Sequence, residues 1–259
     1  MDKNVIFADD GSDGAESAWQ WIGAQKWARW RITVLTVQRQ GVDHRDPQPP
    51  REWAPTHARD VPADALSVTH LVADGDPREV LSAAKADLMV IGRRGAGFLK
   101  KLHIGSVAEA LLDHPTTPLL IARGDSPVRQ MLVAVDGSGY AAHAVEVVKE
   151  LPLTPDSRVT VLGVDEGDGR ARAAVDHAAS LLDGAAFAVD RRVIEHEPSA
   201  LTVNVRSEIE AFLNEHPHDL VVLGTKGLTG SRRLRLGSVS DYLAHHIDAS
   251  MLLVRDAYQ

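Results

Sequence analysis

Short apolar runs alternate with amphipathic stretches along this chain, and the whole alternation occurs twice. An apolar run of four to seven residues bounded by Gly or Asp is typical of a parallel strand covered on both faces. The predicted strands span residues 4–8, 32–37, 67–73, 88–91 and 118–122 in the first half, and residues 131–135, 159–164, 188–194, 220–223 and 250–254 in the second. The pattern therefore predicts five strands in each half.

The stretches between these strands predict helices. Periodic apolar positions indicate helices over residues 15–26, 141–149 and 170–182. Pro77 and Pro198 suit a first helical turn, and we expect the helix after Pro198 to be longer by about three turns. The segment from residue 38 to residue 62 has no clear period. We expect it to be an irregular excursion with room for one short helix, and we interpret it as a solvated insertion rather than a cover for the first site.

Strands that alternate with helices predict parallel βαβ units with right-handed crossovers, and hence an α/β fold. Because the pattern repeats, we expect two tandem doubly wound domains, each a five-stranded parallel sheet with flanking helices. The predicted domains are residues 1–124 and 129–259, joined by a short linker. The fifth strands would be apolar edges in isolated domains, so we expect the domains to pack as a pseudo-two-fold pair.

A glycine loop follows the fourth strand of each half. The pattern is Gly, two residues, Gly, nine residues, Gly-Ser, and it occupies residues 92–106 and, 132 residues later, residues 224–238. Glycines let backbone N–H groups approach an oxyanion, and the helix that follows favours negative charge at its N-terminus. Basic residues crowd both loops: Arg93, Arg94, Lys100, Lys101 and His103, then Lys226, Arg232, Arg233 and Arg235. This combination predicts a phosphate site in each half, with a solvated cationic loop as the alternative.

The loop spacing is similar to the nucleotide-binding motif of the ATP-binding universal stress proteins, and both copies meet it at every fixed position. The resemblance covers essentially the whole chain. It implies the strand order 3-2-1-4-5 in each sheet and ATP as the ligand, with or without Mg²⁺. The resemblance and the charge of the loops together predict the nucleotide-binding residues, which are Asp10, Val37, Gly92, Arg93, Gly95, Gly105, Ser106 and Val107 in the first domain, and Asp136, Val164, Gly224, Lys226, Gly227, Gly237, Ser238, Val239 and Ser240 in the second.

The resemblance also implies roles for residues outside the loops. The Asp after the first strand faces the nucleoside, and the backbone of Val37 or Val164 contacts adenine. The strand order would bring Asp10 beside the first glycine loop and Asp136 beside the second, at a topological switch point. The residues alone leave an alternative open, in which Asp-Gly-Ser is a turn with a helix cap and the valines belong to the core.

Two departures from the family pattern distinguish the halves. Ser240 has a hydroxyl where the first half has Ala108, so the first site would lack one phosphate contact. Conversely, Asp76 stands between Gly75 and Pro77 as in the family's Gly-x-Pro, whereas the second half has His196-Glu197-Pro198, which could narrow the entrance to its site.

Composition limits the class of protein. A net charge of −8 argues against nucleic acid or an anionic membrane as partner, because either would require a broad basic face. The absence of Cys excludes disulfides and thiolate metal sites. With no apolar signal segment and no run as long as a membrane span, we expect a soluble cytoplasmic protein.

These patterns predict an ATP-binding regulatory or stress-response protein. No residue pair suggests a base poised to activate water, so we expect no catalytic residues and at most weak ATPase activity; a slow nucleotide-using enzyme and a scaffold without ligand are the alternatives. We expect no metal site, since His216-Pro-His218 and His245-His246 lack a matched carboxylate. A homodimer and an unidentified downstream protein partner are left open. The tryptophans near the first helix suit core or inter-domain packing.

Overall fold

The structure, a computed structural model, describes residues 2–38, 51–52, 62, 64–93, 105–113, 117–195, 203–227 and 236–255. The chain folds as two compact units, Met1–Pro127 and Val128–Gln259. Both units have an α/β architecture built on a mainly parallel sheet. Within the described residues, none of the helices is both long and apolar enough to cross a membrane.

The first unit contains, in chain order, β1 (Lys3–Ala8), α1 (Asp13–Ala24), β2 (Trp30–Gln38), β3 (Arg51–Glu52), β4 (Ser67–Asp74), α2 (Pro77–Ala83), β5 (Leu88–Gly92), α3 (Ser106–Asp113) and β6 (Leu119–Ala122). Its strand order is β3-β4-β2-β1-β5-β6. The strands pair in parallel except β3, which pairs antiparallel with β4. Without β3, this is the predicted order 3-2-1-4-5.

The second unit contains β7 (Gln130–Ala134), α4 (Gly139–Glu150), β8 (Arg158–Val164), α5 (Arg170–Leu181), β9 (Ala188–Ile194), α6 (Val205–Glu215), β10 (Leu220–Gly224), α7 (Ser238–His246) and β11 (Ser250–Val254). These strands follow the order β11-β10-β7-β8-β9, with parallel pairing throughout. Counted from β9, this is again 3-2-1-4-5, so the predicted topology is confirmed in both units.

The central strands are buried because they are apolar on both faces. Leu88, Val90, Leu220 and Val222, from the strands before the glycine loops, are fully buried. Burial of one such side chain contributes about 1.5–3 kcal/mol relative to exposure. The strands that carry the loops are therefore fixed by the core, and the loops begin from a rigid edge.

One prediction about secondary structure is wrong, and another is mostly not covered by the structure. The segment 38–62 contributes the two-residue strand β3, and most of the rest of it lies outside the described residues. Helix α6 begins at Val205, after the non-helical Asn204, and not at Pro198. It has 11 residues against 7 in α2, so the difference is about one turn and not three.

Four tryptophans pack into the core of the first unit. Trp19, Trp21, Trp27 and Trp30 are each at most 7% exposed. The ring of Trp27 meets Trp21 and Trp30 edge-on, at centroid distances of 6.5 and 5.6 Å. Its indole N–H donates to the carbonyl of Ile22 at 2.6 Å, which satisfies the one polar group of a fully buried side chain. These residues support the core, as one of the two predicted roles requires.

Candidate functional site

The candidate sites lie where the first strand of each unit ends between its two neighbouring strands. Strand β1 lies between β2 and β5, and β7 lies between β8 and β10. The backbone N–H of Asp9 donates to Leu35 at 3.0 Å, and that of Val135 donates to Leu162 at 2.8 Å. Beyond these bonds the first strand turns away into its helix. The strand order reverses at this point, which is where open α/β sheets bind ligands. We call the carboxyl end of β1, with the adjoining ends of β2 and β5, the first site. The second site is the carboxyl end of β7 with the adjoining ends of β8 and β10.

Asp10 and Asp136 begin equivalent turns. One carboxylate oxygen of each accepts the backbone N–H two residues later, at 3.1 Å from Ser12 and 2.9 Å from Ser138. The serine side chains cap α1 and α4 in turn. The turn-and-cap interpretation of Asp-Gly-Ser is therefore correct for one oxygen of each Asp and for both serines.

The second oxygen of Asp136 lies against the glycine loop. A Cβ built on Gly227 would lie 2.5 Å from Asp136 Oδ2, closer than any side chain allows. These residues are 91 positions apart in the chain, and the structure brings them together as the strand order predicts. Asp136 is half-buried and Asp10 is exposed. Gly95, the counterpart of Gly227, lies outside the described residues.

The first glycine of each loop is required by packing inside the protein. A Cβ on Gly224 would lie 2.7 Å from Cβ of Tyr140 and 3.0 Å from the backbone nitrogen of Ala141, in the first turn of α4. A Cβ on Gly92 would collide with the backbone carbonyl of Gly14. The end of β5 therefore packs directly on the N-terminal turn of α1, and the end of β10 packs on that of α4. This packing explains both glycines without any ligand.

The two ends of each glycine loop are hydrogen-bonded to each other. The backbone N–H of Gly237 donates to the carbonyl of Thr225 at 2.7 Å, and that of Gly105 donates to Arg93 at 2.9 Å. A Cβ on Gly237 would lie 3.2 Å from that carbonyl and 3.3 Å from Cα of Lys226. The third glycine thus lets the start of the helix abut the end of the strand. The N-cap residue of α7 is Gly237, which has no side chain to accept from the first-turn N–H groups. N–H groups in such a turn attract anions.

Ser240, predicted to contact phosphate, makes a hydrogen bond inside the protein. Its hydroxyl donates to the backbone carbonyl of Gly224 at 2.7 Å, and the residue is only 4% exposed. A phosphate oxygen accepts hydrogen bonds, and the one hydrogen of this hydroxyl is already directed inward. Ala108, at the same position in the first unit, is 2% exposed. This position therefore belongs to the packing beneath the loop in both units.

The valines at the ends of the second strands face the candidate sites with their backbones. In a strand, backbone groups of residues i and i+2 point to the same side. The carbonyl of Leu35 bonds to the chain leaving β1, so the backbone groups of Val37 point to the same side, beyond the end of β1. Leu162 and Val164 repeat this arrangement beside β7. Both valine side chains are only partly buried.

A compact acidic turn follows Val164. One oxygen of Asp165 accepts the backbone N–H groups of Gly167 and Gly169, at 3.1 and 3.0 Å. Asp168 pairs with Arg170 at 2.5 Å, and the hydrogen bond from that guanidinium lowers the pKa of the Asp168 carboxyl. The turn is therefore held by its own contacts where it borders the second site.

Other predicted residues are only partly covered by the structure. Arg93 and Lys226 are described and half-buried, whereas Arg94, Lys100, Lys101, His103, Arg232, Arg233 and Arg235 lie outside the described residues. Ser106 and Ser238 are exposed at the first positions of α3 and α7, followed by the half-buried Val107 and Val239. Across the described ranges, no three His, Asp or Glu side chains converge in the geometry that a metal ion needs.

Sequence reasoning missed two residues of the second site. Thr225 is 1% exposed, donates its N–H to Val254 at 2.8 Å and accepts from Gly237, so it joins the loop to the sheet. Tyr140 packs its Cβ against Gly224. Alignment of the two halves puts Gly14 opposite Tyr140 and Arg93 opposite Thr225. These differences between otherwise matching halves are the sequence feature that could have drawn attention to both residues.

Comparison with known proteins agrees with this architecture. The model of the universal stress protein family matches residues 1–123 and 127–255. A universal stress protein of Mycolicibacterium smegmatis is 26% identical over 259 aligned positions, covering 87% of this chain and 81% of that protein. A universal stress protein of Thermus aquaticus is 31% identical over 137 positions, which cover 48% of this chain and 100% of that relative.

A solved structure shows the same fold along the whole chain. A universal stress protein from Archaeoglobus fulgidus matches with a TM-score of 0.68 and 20% identity, covering 98% of both chains. At this identity the match concerns the fold alone. The family matches in both halves, together with the repeated 3-2-1-4-5 sheets, show that the chain belongs to the universal stress protein family and consists of two such domains in tandem.

Proposed function

We propose that each domain, residues 1–124 and residues 129–259, binds one molecule of ATP, and that the protein is a nucleotide-binding regulator rather than an efficient enzyme. The convergence of Asp136, Gly227 and the N-terminus of α7 around one loop is the observation that carries this proposal. A side chain at Gly227 would fill the space beside the carboxylate. A conformation that excludes a side chain, next to N–H groups free of a side-chain cap, suits a ligand that approaches the backbone closely.

The two ends of the site suit the two ends of a nucleotide. A carboxylate accepts hydrogen bonds from hydroxyl groups and repels phosphates, so Asp136 would bind the ribose. The N–H groups of Ser238 and Val239 and the cation of Lys226 would bind the phosphates. The backbone of Val164 would bind the adenine edge. Asp10, Val37, Arg93, Ser106 and Val107 would do the same in the first domain. Mg²⁺, if it accompanies ATP, would neutralise phosphate charge.

Slow turnover follows from the same chemistry. Backbone N–H groups and cations stabilise phosphate charge, but hydrolysis also requires a positioned water or base. The two acids of the sites would face the ribose, remote from the terminal phosphate. We therefore expect binding without efficient hydrolysis.

Mass spectrometry of nucleotide retained through gentle purification identifies the ligand. Titration calorimetry on protein stripped of nucleotide then measures affinity, and phosphate release measures turnover. We expect retained adenine nucleotide, saturable ATP binding and slow or no phosphate release. A folded, stripped protein that binds no nucleotide would be a scaffold. Phosphate release that scales with protein and disappears in Gly227→Val would instead indicate an ATPase.

A further inference from the structure

Two hydrogen bonds join the first turn of α7 to consecutive carbonyls at the end of β10. The backbone N–H of Gly237 bonds to Thr225 at 2.7 Å, and the hydroxyl of Ser240 bonds to Gly224 at 2.7 Å. The carbonyls are adjacent and the donors are three residues apart, so the bonds fix both the position and the rotation of the turn. Both glycines are packed against backbone or Cβ atoms, which leaves little room for displacement.

The first domain has only one of these two bonds. Gly105 bonds to Arg93 at 2.9 Å, as Gly237 bonds to Thr225. The position of Ser240 is occupied by Ala108, which is buried to the same degree but has no donor side chain. The two domains thus provide an internal comparison in which one hydroxyl is added to an otherwise matching turn.

We propose that Ser240 is a positioning residue of the second site: its hydrogen bond to Gly224 holds the N-terminus of α7 in the orientation in which its N–H groups meet phosphate. This rests on the proposed nucleotide binding. A turn held before binding loses less conformational freedom when the ligand arrives, so affinity rises without any contact between Ser240 and the nucleotide. The first domain must restrain its equivalent turn during binding.

The test compares three variants of Ser240 in a Gly95→Val background, in which only the second site binds. Ser240→Ala reproduces the first domain, and Ser240→Thr and Ser240→Val form a pair of equal shape that differs in the hydroxyl. We expect ATP affinity about fivefold to tenfold weaker in Ser240→Ala than in the parent, and a similar difference between Val and Thr. In the otherwise native chain, Ala108→Ser should strengthen the first site several-fold.

A second measurement separates positioning from general stability. Amide hydrogen exchange of residues 238–241 without nucleotide should be faster in Ser240→Ala and Ser240→Val than in Ser240→Thr, while β10 stays protected. Equal affinities in the Thr and Val variants would overturn the proposal, as would equal exchange in that turn. Failure of the parent protein to bind any nucleotide would overturn the proposed function itself, and this inference with it.

Discussion

The glycines of the second loop are needed for different physical reasons. At Gly224 and Gly237 an added Cβ meets backbone atoms or the Cβ of Tyr140, which cannot move without shifting an element. At Gly227 it meets only the carboxylate of Asp136, the far end of a side chain that can rotate. Substitutions at these positions should therefore separate folding from binding.

Gly224→Ala should destabilise the second unit by about 1–3 kcal/mol, because the strand end must move away from α4. Gly227→Val should leave the fold largely intact and weaken nucleotide binding, because it displaces Asp136 and blocks approach to the backbone. Urea unfolding and titration calorimetry measure the two effects. Gly23→Val is the control, since Gly23 is an exposed helix position with open space around its Cα. Undiminished affinity in folded Gly227→Val would mean that the loop is not the binding site.

His218 gives the second unit a dependence on pH. Burial lowers its pKa, and the nearby Asp219 opposes that shift without cancelling it. Its ring contacts the carbonyl of His216 and the ring of Phe212. Because the folded state binds the proton less readily than the unfolded chain, stability is complete above about pH 6.5. It decreases as the pH falls through that value and on through the lowered pKa of the folded protein.

His218→Gln should flatten this part of the pH profile of unfolding free energy between about pH 7 and pH 5. The exposed His216→Gln is the matched control, and it should retain the slope. Proton NMR of the imidazole resonances measures the pKa directly. A resonance assigned to His218 that titrates at or above pH 6.5 would contradict the expected direction.

At the level of elements, apolar runs predicted the strands well because burial on both faces leaves few alternatives for residues such as Leu88 and Leu220. The start of α6 was mispredicted because a proline suits a first helical turn without fixing where the helix begins, and α6 begins at Val205. Strand β3 depends on pairing with β4, a contact that no local pattern encodes. The hydrogen bond from Ser240 to Gly224 was likewise not predictable, since the sequence does not distinguish a serine that contacts phosphate from one that donates to a backbone carbonyl.

Helix α5 packs directly against β8 at Gly163, where there is no room for a side chain. A Cβ at Gly163 would lie 2.9 Å from a methyl of Val175 and 3.1 Å from the carbonyl of Ala171. The first domain has Thr36 at the equivalent position. Gly163→Thr should therefore destabilise the second unit by about 1–3 kcal/mol through overpacking. Ala173→Thr, on the exposed side of α5, should cost only about 0.5 kcal/mol. If calorimetry gave the same loss of unfolding free energy for both variants, α5 would be free to move away from β8.

For the whole molecule, we expect two ATP molecules per chain. Each half supplies the acid after the first strand, the valine after the second and the full glycine spacing. We expect the second site to be tighter, because its α7 turn is held by two hydrogen bonds where the first domain has one. His196, predicted to narrow that entrance, lies outside the described residues. Titration calorimetry gives the count; a stoichiometry near one that Gly95→Val alone abolishes would reverse the ranking.

The tryptophan packing of the first unit determines what fluorescence can measure. All five tryptophans of the chain precede residue 54, and the second unit has none. Four of them are buried in the core of that unit, so their emission should shift strongly when the core opens. Emission therefore follows the first unit, whereas far-UV circular dichroism follows both. One urea titration of the unmodified chain, recorded with both signals, would resolve the two halves: coincident curves indicate one cooperative transition, and displaced curves indicate two.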